Sequence, residues 1–277
     1  MWDTYAFGNH FITHPDRTFE FAEVWDQTLD SGVQGIHFSI GRDNEDQLRR
    51  GQSLTEHRRR TGLNLASILT HVDLSNPDPD GAPPITEVMD LLEPGDTHEM
   101  GITMGWQQDV SDPKHDEQAI QILRKYADEA EARDLTVSLY PHFGFWLERV
   151  SDAVRLARAI DHPRLRVSFC GFHWYLVEGG DPTPTLREAA PWLRMVNVCG
   201  SRPTPEGHGF PLPNTIEPVG EGEFPLDTFV TALREVDYRG PVGFQGYLMG
   251  GDPLANLTQS YGAWRAAEAR VLGDAAS

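Results

Sequence analysis

Cysteine is scarce in this chain: two in 277 residues, Cys170 and Cys199. Two thiols make no disulfide framework, and a reducing cytoplasmic setting is expected. Positive charge is also short, with 23 Lys and Arg against 42 Asp and Glu and a formal charge of −19. Such a surface repels a phosphate backbone, so nucleic acid is not an expected partner. No apolar run approaches the ~20 residues that cross a bilayer, which argues against a membrane partner. The opening stretch MWDTYAFGNH lacks the basic start and apolar core of a signal peptide. No glycine-rich phosphate loop follows the first apolar run, as a doubly wound open sheet usually requires.

What remains is an alternation of short apolar runs with amphipathic stretches from end to end. Hydrophobic residues make up 39% and aromatics 10%, enough for a core. Strands are expected near Thr4–Gly8, Val33–Phe38, Leu63–Leu69, Ile102–Trp106, Thr136–Tyr140, Arg166–Cys170, Met195–Cys199 and Val242–Gln245. Between them, helical stripes such as Phe19, Val24, Trp25 and Leu29, or Ile120, Leu123, Ala127 and Ala130, predict outer helices. The spacing predicts further helices over Asp43–Thr61, Ile85–Glu99 (interrupted or ended near Pro94-Gly95), Leu147–Ile160, Thr185–Ala190, Pro225–Val236 and Asp252–Val271. Asn76–Pro84 reads as a turn-rich loop, and Ser201–Glu223 as the longest irregular stretch. Eight strand–helix units with no change of composition give an α/β fold: one (β/α)8 TIM barrel domain over residues 1–277, close to the ~250 residues such barrels take.

Six of the eleven histidines fall where a strand is expected to end: His10, His37, His71, His142, His173 and, more loosely, His208. In such barrels the C-terminal strand ends share one face, and that face carries the chemistry. Imidazoles gathered there supply neutral-pH acid/base groups and potential metal ligands. The fifth strand ends Tyr140-Pro141-His142, where proline stops the ladder and leaves the flanking side chains for a pocket. The sixth ends Cys170-Gly171-Phe172-His173-Trp174, with His173 between two aromatics that suit a sugar face. Cys170 reads as a small core residue, since no base is visibly paired with it in sequence. Asn197 and Gln245 offer neutral donors and acceptors, Arg202 a cation for a ketone oxygen, carboxylate or phosphate, and Tyr247 a phenol. His37, His71 with Asp73, and Trp106 with Gln107 close the earlier strands. Each of these positions fits either ligand contact or a hydrogen-bonded structural role.

The strand ends VSLYPH, VSFCGFH, MVNVCGS and VGFQGY, with the turn Pro218-Val219-Gly220-Glu221-Gly222, resemble those of the xylose-isomerase-like TIM barrels over nearly the whole chain. That resemblance implies sugar isomerases, epimerases and related enzymes. In the family pattern two glutamates, an aspartate and a histidine hold a divalent metal, and the glutamates commonly move the proton. Tyr140, Cys170, Asn197 and Gln245 stand at those four positions, while the accompanying histidines remain as His142 and His173. The expectation is therefore an atypical member with no metal ligands carried over. His142, His173 and Tyr140 would be catalytic, and His37, His71, Trp106, Trp174, Asn197, Arg202, Gln245 and Tyr247 would meet a small carbohydrate. The reaction expected is proton transfer, as isomerisation, epimerisation or β-elimination, on a sugar, keto-sugar or polyol. A catalytically silent carbohydrate-binding barrel or partner subunit is the alternative. A zinc, iron, nickel or manganese ion held by histidines is the alternative to metal-free chemistry. A homo-oligomer is a family expectation.

Overall fold

The computed structural model describes residues 1–40, 53–75, 85–90, 92, 99–105, 109–204 and 212–273. Eight parallel strands close into a barrel: β1 (Thr4–Phe7), β2 (Gly35–Ser39), β3 (Asn64–Val72), β4 (Glu99–Met104), β5 (Thr136–Leu139), β6 (Leu165–Cys170), β7 (Leu193–Val198) and β10 (Val242–Phe244). The ring closes where β1 pairs with both β2 and β10, Phe7 facing His37 and Ala6 facing Phe244. The expected TIM barrel is the observed fold.

A two-residue period sorts the strand side chains between the outer core and the barrel interior. Val137 and Leu139 of β5, Val167 and Phe169 of β6, and Val196 and Val198 of β7 pack outward in the main core. The intervening residues turn inward: Ser138 bonds Ser168 across the interior at 2.9 Å, and Tyr5, Phe7, Tyr140, Cys170, Met195 and Cys199 form a second, inner cluster. The same parity carries Tyr140, Cys170, Asn197 and Gln245 to the inside of the C-terminal strand ends. At the opposite end the buried carboxylate of Glu99 accepts from Arg194 Nε at 3.0 Å.

Outer helices seal the strands because each buries one stripe. Phe21–Asp30 buries Val24, Trp25 and Thr28. Asp116–Ala132 buries Ile122, Leu123, Tyr126, Ala127 and Ala130, following a 3-10 turn at Pro113–His115 that Asp112 caps. The terminal helix Pro253–Gly273 turns Leu257, Trp264 and Ala267 inward. Each large side chain so buried contributes about 1.5–3 kcal/mol.

Several elements depart from the sequence expectation. β4 opens at Glu99, three residues before the expected strand start at Ile102; the helix before it is described over Ile85–Asp90, and its expected break near Pro94-Gly95 lies outside the described residues. Of the charged helix expected over Asp43–Thr61, Leu54–Thr61 is described. The loop expected at Asn76–Pro84 lies outside the described residues. Ser201–Glu223 is not wholly irregular: β8 (Gly200–Pro203) and β9 (Asn214–Glu217) pair antiparallel as a hairpin over the β7 end. Its base is tight, since a Cβ on Gly222 (φ +72°) would lie 2.1 Å from the Ser201 carbonyl oxygen. Short helices at Asn9–Ile12 and Gly171–Val177 follow β1 and β6 directly.

Candidate active site

A cavity of about 480 Å3 opens at the C-terminal end of the barrel, lined in part by Tyr140, His142, His173, Gln245 and Tyr247. Five of the expected site residues thus meet in one space. His142 lies between two rings, with His173 at 3.8 Å and Phe145 at 4.1 Å between centroids.

The protonation of His142 follows from one contact. Its Nδ1 lies 2.9 Å from the Phe143 carbonyl oxygen. A carbonyl only accepts, so Nδ1 carries the hydrogen and Nε2 keeps its lone pair. Burial drives its pKa down to about 4, the Phe143 bond opposing this and the neighbouring His71 adding to it. His142 is therefore a neutral imidazole at pH 7 with one basic nitrogen. His173 is buried, and among the described residues neither ring nitrogen has a hydrogen-bond partner. Burial first, and His142 second, hold its pKa well below the ordinary value. Tyr140 donates its hydroxyl to Asn197 Oδ1 at 3.2 Å. Burial, with the Cys170 thiol beside it, raises its pKa well above the ordinary value, so the phenol stays protonated.

Gln245 is buried at the end of β10, and its Oε1 accepts from Asn9 Nδ2 at 3.3 Å. That bond fixes the amide with its NH2 as the remaining donor. Asn9 Oδ1 in turn accepts from Gly246 N at 3.2 Å. Strand order puts β1 four places from β5 in either direction around the ring. Asn9, just after β1, with Gln245 beside it, therefore stands across the barrel mouth from His142.

The other expected contacts are distributed differently. His37 is buried, its Nδ1 close to Ser67 Oγ and its ring 4.0 Å from Phe7; burial drives its pKa down to about 3. His71 gives its Nδ1 hydrogen to Thr103 Oγ1 at 2.9 Å, because the Thr103 hydroxyl itself donates to the Thr70 carbonyl. Neither lines the cavity among the described residues, and Asn197, buried beneath Tyr140, does not either. Arg202 departs from its expected role: it lies on the hairpin, its Nε 2.9 Å from Glu217 and its Nη2 3.6 Å from Glu221. Trp174 departs as well. The helix Gly171–Val177 turns it into the outer core against Phe169, and it is 3% exposed. His10 is structural, its Nε2 donating to the Phe244 carbonyl at 3.1 Å and its ring filling the space a Cβ on Gly246 would need. Trp106, Gln107 and His208 lie outside the described residues.

Sequence reasoning missed Asn9 and Thr13. Thr13 Oγ1 donates to the Asn9 carbonyl at 2.7 Å and accepts from Leu248 N at 3.0 Å, tying the loops after β1 and β10 together. The available signal was a short polar segment directly after the first strand.

The four positions where the family resemblance implies metal ligands do not suit a hard divalent cation. Tyr140 and Asn197 bond each other, Gln245 Oε1 is taken by Asn9, and burial raises the Cys170 thiol to about 11. None of them supplies an anion at neutral pH, which such ions demand. Among the described residues, no group of three His, Cys, Asp or Glu side chains is placed to hold a metal ion. No described helix is long and apolar enough to cross a membrane.

The chain matches the xylose isomerase-like TIM barrels over residues 19–264 and belongs to that family. Among solved structures, an L-ribulose 3-epimerase superposes with a TM-score of 0.77 at 16% identity, covering 100% of this chain and 97% of its own. A 3-keto-D-glucoside 4-epimerase from E. coli gives 0.74 at 14% identity, covering 96% of this chain and all of its own. A D-psicose 3-epimerase from Clostridium cellulolyticum H10, solved with D-tagatose, gives 0.67 at 18%, covering 98% and 97%. These likenesses show a shared fold. No curated protein matches the chain in sequence.

Proposed function

We propose that this protein moves a proton next to the carbonyl of a sugar ketone without a metal ion, with His142 as the base. The observation that carries this reading is the fixed tautomer of His142, whose Nδ1 hydrogen is spent on the Phe143 carbonyl while Nε2 keeps its lone pair at a cavity wall. The family and the epimerases that share the fold support a carbonyl-bearing sugar as ligand.

In the proposed step the C–H bond beside the ketone breaks and its proton passes to His142 Nε2. The electron pair moves into the new C=C bond, and the former ketone oxygen becomes the enediolate oxygen. The Gln245 NH2, oriented by Asn9, donates to that oxygen from the opposite side of the barrel. If the enediolate turns its other face to His142 before the proton returns to the same carbon, the product is an epimer. If the proton returns to the former carbonyl carbon while the adjacent hydroxyl proton passes to the former ketone oxygen, the product is an isomer. If a β-substituent leaves with its bonding electron pair and takes the proton from His142, the product is the elimination product. His173 packs against His142 with ring centroids 3.8 Å apart and planes tilted by 40°, which makes it a positioning residue. Tyr140 gives its proton to Asn197, so toward a substrate hydroxyl its oxygen acts only as an acceptor.

His142→Asn tests this. It should lower proton exchange on a keto-sugar by about 100- to 10,000-fold, the contribution of a general base, with an unchanged circular dichroism spectrum. Exchange that survives the substitution overturns the assignment. Sugar binding with no exchange in the wild type would instead identify a silent carbohydrate-binding barrel.

A further inference from the structure

The described cavity wall is largely carbon. Phe7 of β1, Leu69 of β3, Phe143 and Phe145 after β5, and Leu212 and Ile216 at the hairpin line it. Its polar side chains gather elsewhere: Asn9 and Thr13 after β1, Ser39 at the end of β2 and Gln245 and Tyr247 after β10, with the two imidazoles and Tyr140 across from them. Because β10, β1 and β2 are neighbours in the ring, the neutral donors and acceptors other than Tyr140 form one edge of the site.

A bare ketohexose is hydroxylated all around its ring. Seated here, the hydroxyls that turned toward Phe143, Leu69 or Ile216 would lose water without gaining a partner, and each unpaired group costs about 1–3 kcal/mol. An apolar group against the same wall gains from leaving water, roughly in proportion to the area covered. The volume also exceeds the needs of one small ring: about 480 Å3 lies in the ~300–1,000 Å3 range of sites that enclose drug-sized ligands.

We propose that the substrate is a sugar ketone bearing an apolar, ring-sized substituent, with its sugar between His142 and the Asn9–Gln245 pair and its substituent against the carbon wall. This rests on the proton-transfer reading of the site and adds the class of substrate.

The test is calorimetric titration of the wild type with 4-nitrophenyl β-D-glucopyranoside and methyl β-D-glucopyranoside, which share a sugar and lack a ketone. Neither can undergo the proton transfer, so binding is read apart from chemistry. The aryl glycoside should bind at least tenfold more tightly, and Ile216→Asp should remove most of that preference. Phe143→Ser, at a half-buried loop position, supplies the same readout if the first variant fails to fold. Equal affinity for the two glycosides overturns the proposal, as does no detectable binding of the aryl glycoside. A preference that survives the substitutions also overturns it, because the aryl group then sits elsewhere. Deuterium exchange on D-tagatose, measured separately, judges the histidine chemistry: exchange with no aryl preference sinks the substrate class alone. Aryl preference with no exchange on any ketone sinks the reaction.

Discussion

Acidification from pH 7.5 to 5 should cost this protein at least about 4 kcal/mol of folding stability, through groups buried around the site, with His173 adding to the loss in the same direction. Burial drives His10 and His142 down to about 4 and His37 down to about 3. A depressed histidine stabilises the fold above its unfolded value of ~6.5, and that contribution is lost as pH falls toward the folded value. At pH 5 each unfolded imidazole has gained about 1.5 pH units of proton binding that its folded counterpart refuses. At ~1.36 kcal/mol per unit this is about 2 kcal/mol each, or about 6 for the three. Glu99 works the other way. Burial raises its pKa to about 7 despite Arg194, so its stabilising protonation is complete at low pH and lost as pH rises through 7. Over the same interval it returns about 2 kcal/mol. The net loss is a large share of the ~5–15 kcal/mol that holds a typical domain together. Urea unfolding followed by tryptophan fluorescence at pH 7.5, 6 and 5 measures it directly. Glu99→Gln should remove the offset and steepen the acid loss to at least about 6 kcal/mol. Equal or greater stability at pH 5 than at pH 7.5 in the wild type would refute the reasoning.

Two further predictions concern catalysis. Gln245→Leu should lower kcat for the keto-sugar reaction by about 100- to 1,000-fold, as expected for a lost oxyanion donor. Asn9→Ala, which only releases the Gln245 amide, should lose less, and equal losses would make Asn9 a direct contact. Because His142 titrates near 4 and must be unprotonated to act, the rate should stay flat from pH 8 to 5.5 in the folded protein. A rate that halves near 6.5 would show an imidazole of ordinary basicity.

The barrel was legible because period-two alternation and helical stripes alternate through the whole chain, and strand parity alone turns Tyr140, Cys170, Asn197 and Gln245 inward. His142 and His173 were legible as strand-end histidines. Reading failed where a strand ended and something else began. In sequence Trp174 closes the sixth strand end and suits a sugar face, but a helix starts at Gly171 and carries the indole back into the outer core. Arg202 was read as the edge of a strand end, whereas a hairpin takes it to Glu217, a pairing set by register with a segment more than ten residues away. Asn9 earned no notice because its partner, Gln245, is 236 residues distant and meets it only when the ring closes.

The most direct test is solvent deuterium incorporation, followed by proton NMR, into a keto-sugar such as D-tagatose or a 3-keto-glucoside, using protein treated with a chelator. The account predicts exchange at the carbon beside the carbonyl that persists after chelation and is lost in His142→Asn. Exchange abolished by the chelator, restored by zinc or manganese, and indifferent to His142 would contradict it.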